Sequence, residues 1–141
     1  MRDMTSAEID ALIREWTWGT LIGLDSSGPY AIELSYGFDG QYIYCGSMPG
    51  GRMARCIRDN QQVAFKICDC GRDVSHYRAV IIEGTAERQT VEADILRAVR
   101  LIARQSGFGE HALDHLAALT AANPAGNSLR IPLTRVGGKI A

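Results

Sequence analysis

The chain has 141 residues, a length typical of one domain that buries about two-thirds of the surface of the unfolded chain. Its 15 Lys and Arg residues against 16 Asp and Glu residues give a net charge of −1, which excludes the strongly basic field that attracts nucleic acid. Since no apolar run reaches the length of a membrane span and the start lacks a signal-peptide pattern, we expect a cytoplasmic location.

The first predicted element is a helix from Thr5 to Trp16. Thr5 and Glu8 form the T-x-x-E capping box that marks a helix start, and apolar residues then recur at helical spacing. Trp18 to Leu24 is typical of a strand, and the polar residues 25–29 that follow predict a hairpin turn. Trp16 and Trp18 flank this junction, and we expect both to anchor the helix on the sheet.

A second hairpin follows directly. Tyr30 to Phe38 alternates between apolar and small or polar residues, as a half-buried strand does. Asp39-Gly40 is a strong tight-turn signal, so Gln41 to Cys45 is predicted to return as the antiparallel partner.

A loop rich in small residues then leads into a short amphipathic helix that carries three arginines. Small residues allow a close backbone approach to a ligand, and a helix N-terminus offers unpaired N–H groups to an anion. Arginines add donors that fit phosphate oxygens. A phosphate cradle and an ordinary surface turn with solvated arginines are equally good interpretations of this segment. It comprises Gly46, Ser47, Pro49, Gly50, Gly51, Arg52, Arg55 and Arg58.

The second half of the chain alternates strands and helices. Val63 to Cys68 and Tyr77 to Arg88 are predicted strands, and Gly84 within the latter marks a bulge or a close backbone approach. Helical periodicity begins at Val91 and ends near Gly107. Further predicted elements are an alanine-rich helix over Glu110 to Ala122, a strand over Ser128 to Val136, and a closing Gly137-Gly-Lys segment.

The order of these elements favours one fold class. About six strands, mostly sequential and antiparallel, and three or four helices indicate a mainly β protein, a small barrel with appended helices. A doubly wound sheet is disfavoured because strands and helices do not alternate regularly along the whole chain.

The four cysteines are Cys45, Cys56, Cys68 and Cys70. Their spacings do not match a structural zinc site. In a strand Cys68 and Cys70 share a face, a poor geometry for a mutual disulfide. We therefore expect free, partly buried thiols in a reducing compartment.

The three histidines give weak signals. His111 and His115 stand four residues apart in a predicted helix, and a solvated helix face is favoured over a metal edge because no third ligand accompanies them. His76 lies in a polar turn before the Tyr77 strand, and a single histidine in a loop is weak evidence for a ligand.

Taken together, these segments resemble the flavin-binding split-barrel proteins, the group related to pyridoxamine-phosphate oxidase, and within it the nitroimidazole-resistance branch. The resemblance covers nearly the whole chain. It rests on the order of W-G-T-L-I-G-L, G-P-Y-A-I-E-L-S-Y-G-F-D-G, Y-I-Y-C-G-S-M-P-G-G-R-M-A-R-C-I-R-D-N-Q-Q-V-A-F, R-A-V-I-I-E-G-T-A-E and L-R-I-P-L-T-R-V-G-G-K.

The resemblance implies a six-stranded antiparallel split β-barrel that pairs with a second copy, with FMN in the groove between the subunits. It implies that the inward residues Glu33, Leu34 and Ser35 border the flavin ring. The ribityl chain and phosphate would then be surrounded by Gly46, Ser47, Gly51, Arg52 and Met53, with Arg52 in a bidentate phosphate contact.

Two positions depart from the family pattern. Met53 stands where the family commonly has a phosphate-binding Lys, and Arg55 is the candidate substitute. Cys45 stands where nitroimidazole-resistance proteins commonly have His, next to the flavin loop, either as a redox partner of the cofactor or as a core thiol.

The resulting functional expectation is an FMN-dependent oxidoreductase that passes electrons from a reduced nicotinamide to a small organic acceptor. The flavin would supply the redox chemistry, and no side chain is a candidate for an obligatory acid or base. The alternative is a non-enzymatic flavin- or haem-binding protein that serves as a store, sensor or scavenger.

Overall fold

The computed structural model describes all 141 residues as two antiparallel sheets and four helices. No helix is both long and apolar enough to cross a membrane. In chain order the elements are β1 Arg2–Asp3, α1 Ser6–Glu15, β2 Trp18–Asp25, β3 Gly28–Ser35, β4 Gly37–Phe38, β5 Tyr42–Gly46, α2 Arg52–Asp59, β6 Gln62–Cys70, β7 Tyr77–Thr85, β8 Glu87–Gln89, α3 Glu92–Gln105, α4 His115–Ala122, β9 Ser128–Pro132 and β10 Arg135–Ile140.

The strands form a six-stranded sheet in the order β1-β10-β7-β6-β2-β3 and a four-stranded sheet in the order β4-β5-β9-β8. All pairings are antiparallel, as the sequence predicts. Three runs that each read as one strand are divided. The chain breaks at Tyr36 and at Ala86, where it passes from the larger sheet to the smaller one, and at residues 133–134, within the strand predicted over Ser128 to Val136, where it returns to the larger sheet. These crossings close the barrel.

Gly84 makes the close backbone approach that its position in a strand suggests. A Cβ at this residue would collide with the carbonyl oxygen of Pro132 and touch Ile131. Because β7 belongs to the larger sheet and β9 to the smaller one, the glycine allows the two sheets to meet.

The core fills the space between the two sheets. Alternation along each strand places one set of side chains inside, and the central ones, such as Phe65 and Ile82, are fully buried. Helix α2 packs against β2 and closes the barrel at the end where the β2–β3 hairpin turns.

The predicted capping box of the first helix is present. The Glu8 amide donates to Thr5 Oγ1, and the Thr5 amide donates to the Glu8 carboxylate. The end of the helix is fixed by Tyr36, whose buried hydroxyl lies 2.6 Å from the carbonyl oxygen of Ile13, to which it donates, and 3.0 Å from that of Trp16.

Three predictions need correction. Helix α4 begins at His115 rather than at Glu110, because residues 110–114 form turns. The final strand, β10, includes Gly137 and Gly138 and pairs with β7 along its whole length, so these glycines do not merely close the chain. Trp16 packs against the core as expected, whereas Trp18 is 58% exposed on the outer face of the larger sheet.

Candidate functional site

The loop of residues 46–51, which runs from the last residue of β5 to the start of α2, is held in place by Asn127. The Ser47 amide donates to the Asn127 carbonyl at 3.2 Å, and Asn127 Nδ2 donates to Ser47 Oγ at 2.5 Å. Because Asn127 is itself buried, its side chain holds the Ser47 hydroxyl in a fixed position. Sequence reasoning missed Asn127, although it follows the Asn-Pro turn that marks the break after α4.

The loop then turns sharply into α2. Gly50 has φ +69, a left-handed value that favours glycine, and the Gly51 amide donates to the Met48 carbonyl at 3.1 Å. No side chain caps α2, and the amides of residues 52–54 have no acceptor within the chain. Three N–H groups at the positive pole of a helix are therefore available beside a loop of small residues.

Arg52, the residue expected to bind phosphate in a bidentate contact, makes its two hydrogen bonds to Asp25. Nε lies 3.1 Å and Nη2 lies 3.4 Å from the carboxylate oxygens, and the guanidinium stacks on Tyr30 at 4.5 Å. Hydrogen bonds from Arg52 hold the pKa of Asp25 below its usual range. This ion pair ties the first turn of α2 to the end of β2.

Met53 belongs to the core rather than to the loop surface. Its side chain is 3% exposed, and its sulfur lies 3.0 Å from the position that a Cβ on Gly23 would occupy. Since successive residues of a helix project about 100° apart, Met53 faces the barrel whereas Arg55 faces solvent. The residue at the position where the family commonly has a phosphate-binding Lys therefore points its side chain into the core in this chain.

Arg55 and Arg58 supply positive charge on the exposed side of α2. Arg55 Nη1 donates to the Gly50 carbonyl at 3.2 Å, so this guanidinium curls over the loop. Arg58 lines an adjacent cavity of about 240 Å³ between α2 and residues 124–127. Arg88 lines the same cavity but donates to the carbonyls of residues 124 and 126.

Cys45 is enclosed in the core. It is 1% exposed, and burial raises the pKa of its thiol to about 12. A protonated, enclosed thiol is a poor nucleophile, which favours the interpretation of Cys45 as a core residue over that of a redox partner.

The three residues expected to border the flavin ring do not all face inwards. Leu34 packs against the core. Glu33 lies on the exposed outer face, where its carboxylate accepts a short hydrogen bond from Thr20, and Ser35 has the same parity in β3. The period-two alternation of a strand forbids a shared direction for all three. Because Arg52 stacks on the inward residue Tyr30, the structure does not bring Glu33 and Arg52 together.

The histidines lie away from the loop. His76 Nε2 is 2.9 Å from Asp69 Oδ1, near the turn between β6 and β7. His111 lies in the turns before α4, with Nδ1 3.0 Å from Asp114, and His115 starts the helix. The pair therefore does not share a regular helix face.

Comparisons with known proteins place this arrangement in context. The sequence profile described as pyridoxamine 5'-phosphate oxidase matches residues 5–140, which confirms the resemblance noted in the sequence. No curated protein is significantly similar in sequence.

Three solved structures share the fold. An FAD-binding protein from Mesorhizobium loti is 22% identical, with a TM-score of 0.71 over 99% of this chain and 97% of the other. A candidate 5-nitroimidazole antibiotic resistance protein from Bacteroides thetaiotaomicron is 15% identical, with a TM-score of 0.79 over 97% and 85%. An FAD and heme binding protein from Mycobacterium smegmatis is 14% identical, with a TM-score of 0.73 over 100% and 74%. These similarities confirm the split-barrel fold.

Proposed function

The chain belongs to the pyridoxamine 5'-phosphate oxidase family, and from this we propose that it binds a flavin, with the phosphate of FMN against loop 46–51 and the N-terminus of α2. The observation that carries the proposal is the set of free amides of residues 52–54 beside the fixed Ser47 hydroxyl. An anion at this point gains N–H donors and the positive pole of the helix.

In this proposal the two arginines have different roles. Arg55 is exposed and already bends over the loop, so it can turn its donors to the phosphate in place of the Lys that Met53 replaces. Arg52 keeps α2 against β2 through Asp25. Arg52 therefore supports the cradle, and its remaining N–H groups add positive charge to it.

We further propose that the protein is an oxidoreductase which takes electrons from a reduced nicotinamide and passes them to a small organic acceptor. Bound flavin would supply the hydride and electron chemistry. The protein's own part is to hold the phosphate, exclude water from the ring and shape the acceptor space. None of the contacts described above assigns a catalytic residue.

The proposed assembly is a cytoplasmic homodimer with the cofactor between the subunits. A groove of about 660 Å³ lies on the larger sheet near the β2–β3 hairpin, lined among others by Ile22, Leu24 and Arg135. Four of its twelve lining residues are hydrophobic. Leu24 is 46% exposed there, and burial of its side chain against a second copy would stabilise a dimer. All four cysteines are free, which supports a reducing compartment because disulfides are rare there.

The phosphate assignment is tested by comparing FMN with riboflavin, which lacks the phosphate. Wild-type protein should bind FMN at least about tenfold more tightly, since one charge-assisted hydrogen bond contributes about 1.5–3 kcal/mol. Arg55→Ala and Arg52→Ala should each weaken FMN binding by about tenfold or more and leave riboflavin binding nearly unchanged.

Arg104→Ala is the matched control. It removes the same charge from helix α3, where Arg104 forms an exposed ion pair with Glu110. Fluorescence titration measures all affinities. Equal affinity of wild-type protein for FMN and riboflavin, or equal losses in Arg55→Ala and Arg104→Ala, would show that the phosphate lies elsewhere.

Catalysis is tested separately. Steady-state oxidation of a reduced nicotinamide with added acceptor should exceed the rate with free FMN. A flavin-loaded protein with no excess turnover would replace the oxidoreductase proposal by that of a store, sensor or scavenger.

A further inference from the structure

Cys68 and Cys70 form a close thiol pair at the end of β6. Both side chains are exposed on the same face of the strand, and their sulfurs are 3.0 Å apart. A disulfide needs a separation of about 2.0 Å, so the sulfurs have to move together by about 1 Å. The other two cysteines, Cys45 and Cys56, are buried.

We propose that Cys68 and Cys70 are a redox-active dithiol that exchanges with small-molecule disulfides and closes reversibly into an intramolecular disulfide. This activity does not rest on flavin binding. No third His, Cys, Asp or Glu joins the pair, so the chain offers two sulfurs to each other rather than a metal site.

The reaction is balanced by the incoming disulfide. One thiolate attacks it, a mixed disulfide forms with the protein, and the first small thiolate leaves. The second protein thiol loses its proton to solvent and attacks the protein sulfur of the mixed disulfide, so the Cys68–Cys70 bond forms and the second small thiolate leaves. In sum, the protein dithiol is oxidised by two electrons and one small disulfide is reduced to two thiols.

The contact allows either sulfur to act first. The hydrogen bond with Cys70 raises the pKa of Cys68, but either sulfur can be the donor of that bond. Whichever thiol is deprotonated attacks the small disulfide, because the thiolate is the nucleophile, and the other thiol resolves the mixed disulfide.

The end of β6 can accommodate the bridge. Two residues of extended strand span about 6.6 Å between Cα atoms, which is at the upper end of the range for a disulfide. Cys70 is the last residue of its strand, and residues 71–76 form a bend and turn. A small contraction therefore shifts only the last paired residues of β6, where Asp69 and Cys70 lie opposite Arg78 and Tyr77 at the edge of this turn.

The pair is also separate from the proposed phosphate cradle. Helix α2 packs at the hairpin end of the barrel, where β6 begins at Gln62. Cys68 lies six residues further along the strand, which corresponds to about 20 Å. Failure of the flavin proposal would leave this one intact, and the reverse also holds.

The test uses the reduced full-length chain and oxidised glutathione as the disulfide. After incubation, free thiols are blocked with iodoacetamide, and the protein is cut with trypsin and weighed by mass spectrometry. Cleavage after Lys66 and Arg72 releases residues 67–72, which contain both cysteines of the pair and no other.

In wild-type protein the 67–72 peptide should lose two hydrogens and carry neither iodoacetamide nor glutathione, and dithiothreitol should reverse this. Cys68→Ser and Cys70→Ser should each stop at one glutathione on the remaining cysteine. Wild-type peptide that is blocked by iodoacetamide on both sulfurs, or that carries two glutathiones, would overturn the proposal. The wild-type result decides the matter even if a serine variant folds poorly.

Discussion

Met53 provides a test of where this chain departs from its family. Met53→Lys restores the residue type that the family commonly uses for phosphate, yet the structure places this side chain 3% exposed in the barrel. We expect the substitution to destabilise the protein and not to tighten FMN binding, because the ammonium would enter the core rather than the loop.

The magnitude follows from burial. A fully buried Lys has a pKa lowered by about 3–5 units, and each unit corresponds to about 1.4 kcal/mol. At pH 7 the cost is therefore about 4 kcal/mol, a large part of the roughly 5–15 kcal/mol that stabilises a typical domain. Met53→Leu is the matched control, since a volume-conserving apolar exchange costs less than about 1.5 kcal/mol.

The assay is urea unfolding followed by circular dichroism at several pH values. The folded-state pKa of the new Lys lies below its unfolded-state value, so the unfolded chain binds more protons between the two. The deficit of Met53→Lys relative to Met53→Leu should therefore shrink as the pH rises from 7 towards about 10. Equal unfolding free energies at pH 7, together with tighter FMN binding by Met53→Lys, would refute the placement of this residue in the core.

Two further predictions concern the contact between the two sheets at Gly84 and the ion pair between Arg52 and Asp25. Gly84→Ala should lower the free energy of unfolding by about 1–3 kcal/mol, because a Cβ there meets the backbone of Pro132. Gly137→Ala is the control and should change the free energy of unfolding little, because its Cβ would meet open space. Similar losses in both variants would contradict the close approach of the two sheets. Hydrogen bonds from Arg52 lower the pKa of Asp25 in the folded protein. Its contribution to the free energy of unfolding is therefore fully present above the unfolded-state pKa of about 3.9, and it is lost as the pH falls through the folded-state pKa. Asp25→Asn should therefore lower the thermal unfolding midpoint at pH 7. The difference in midpoint between the variant and wild type should become smaller below about pH 4. A difference that does not change with pH would argue against the ion pair.

Local signals predicted the local structure well. The capping box of Thr5 and Glu8 and the Asp39-Gly40 turn involve residues within a few positions of one another, so their chemistry is visible in the sequence. The division of a strand at Tyr36 was not visible. An alternating pattern shows that one face is buried, but it does not show which sheet buries it.

The candidate site shows the same distinction. The glycine-rich loop and the helix after it were readable, whereas the Arg52–Asp25 pair joins residues 27 positions apart and depends on how β2 lies beside α2. Likewise, the shared face of Cys68 and Cys70 followed from strand periodicity, but their contact depends on the side-chain rotamers. Asn127, which fixes the loop from the far end of the chain, carried no distinctive signal.

Flavin binding by this chain is tested by an absorbance spectrum of the purified protein before and after incubation with FMN and desalting. If the chain holds a flavin, a two-banded flavin spectrum should survive desalting. A colourless protein that retains no FMN would contradict flavin binding, and a sharp Soret band would show that haem takes the place of the flavin.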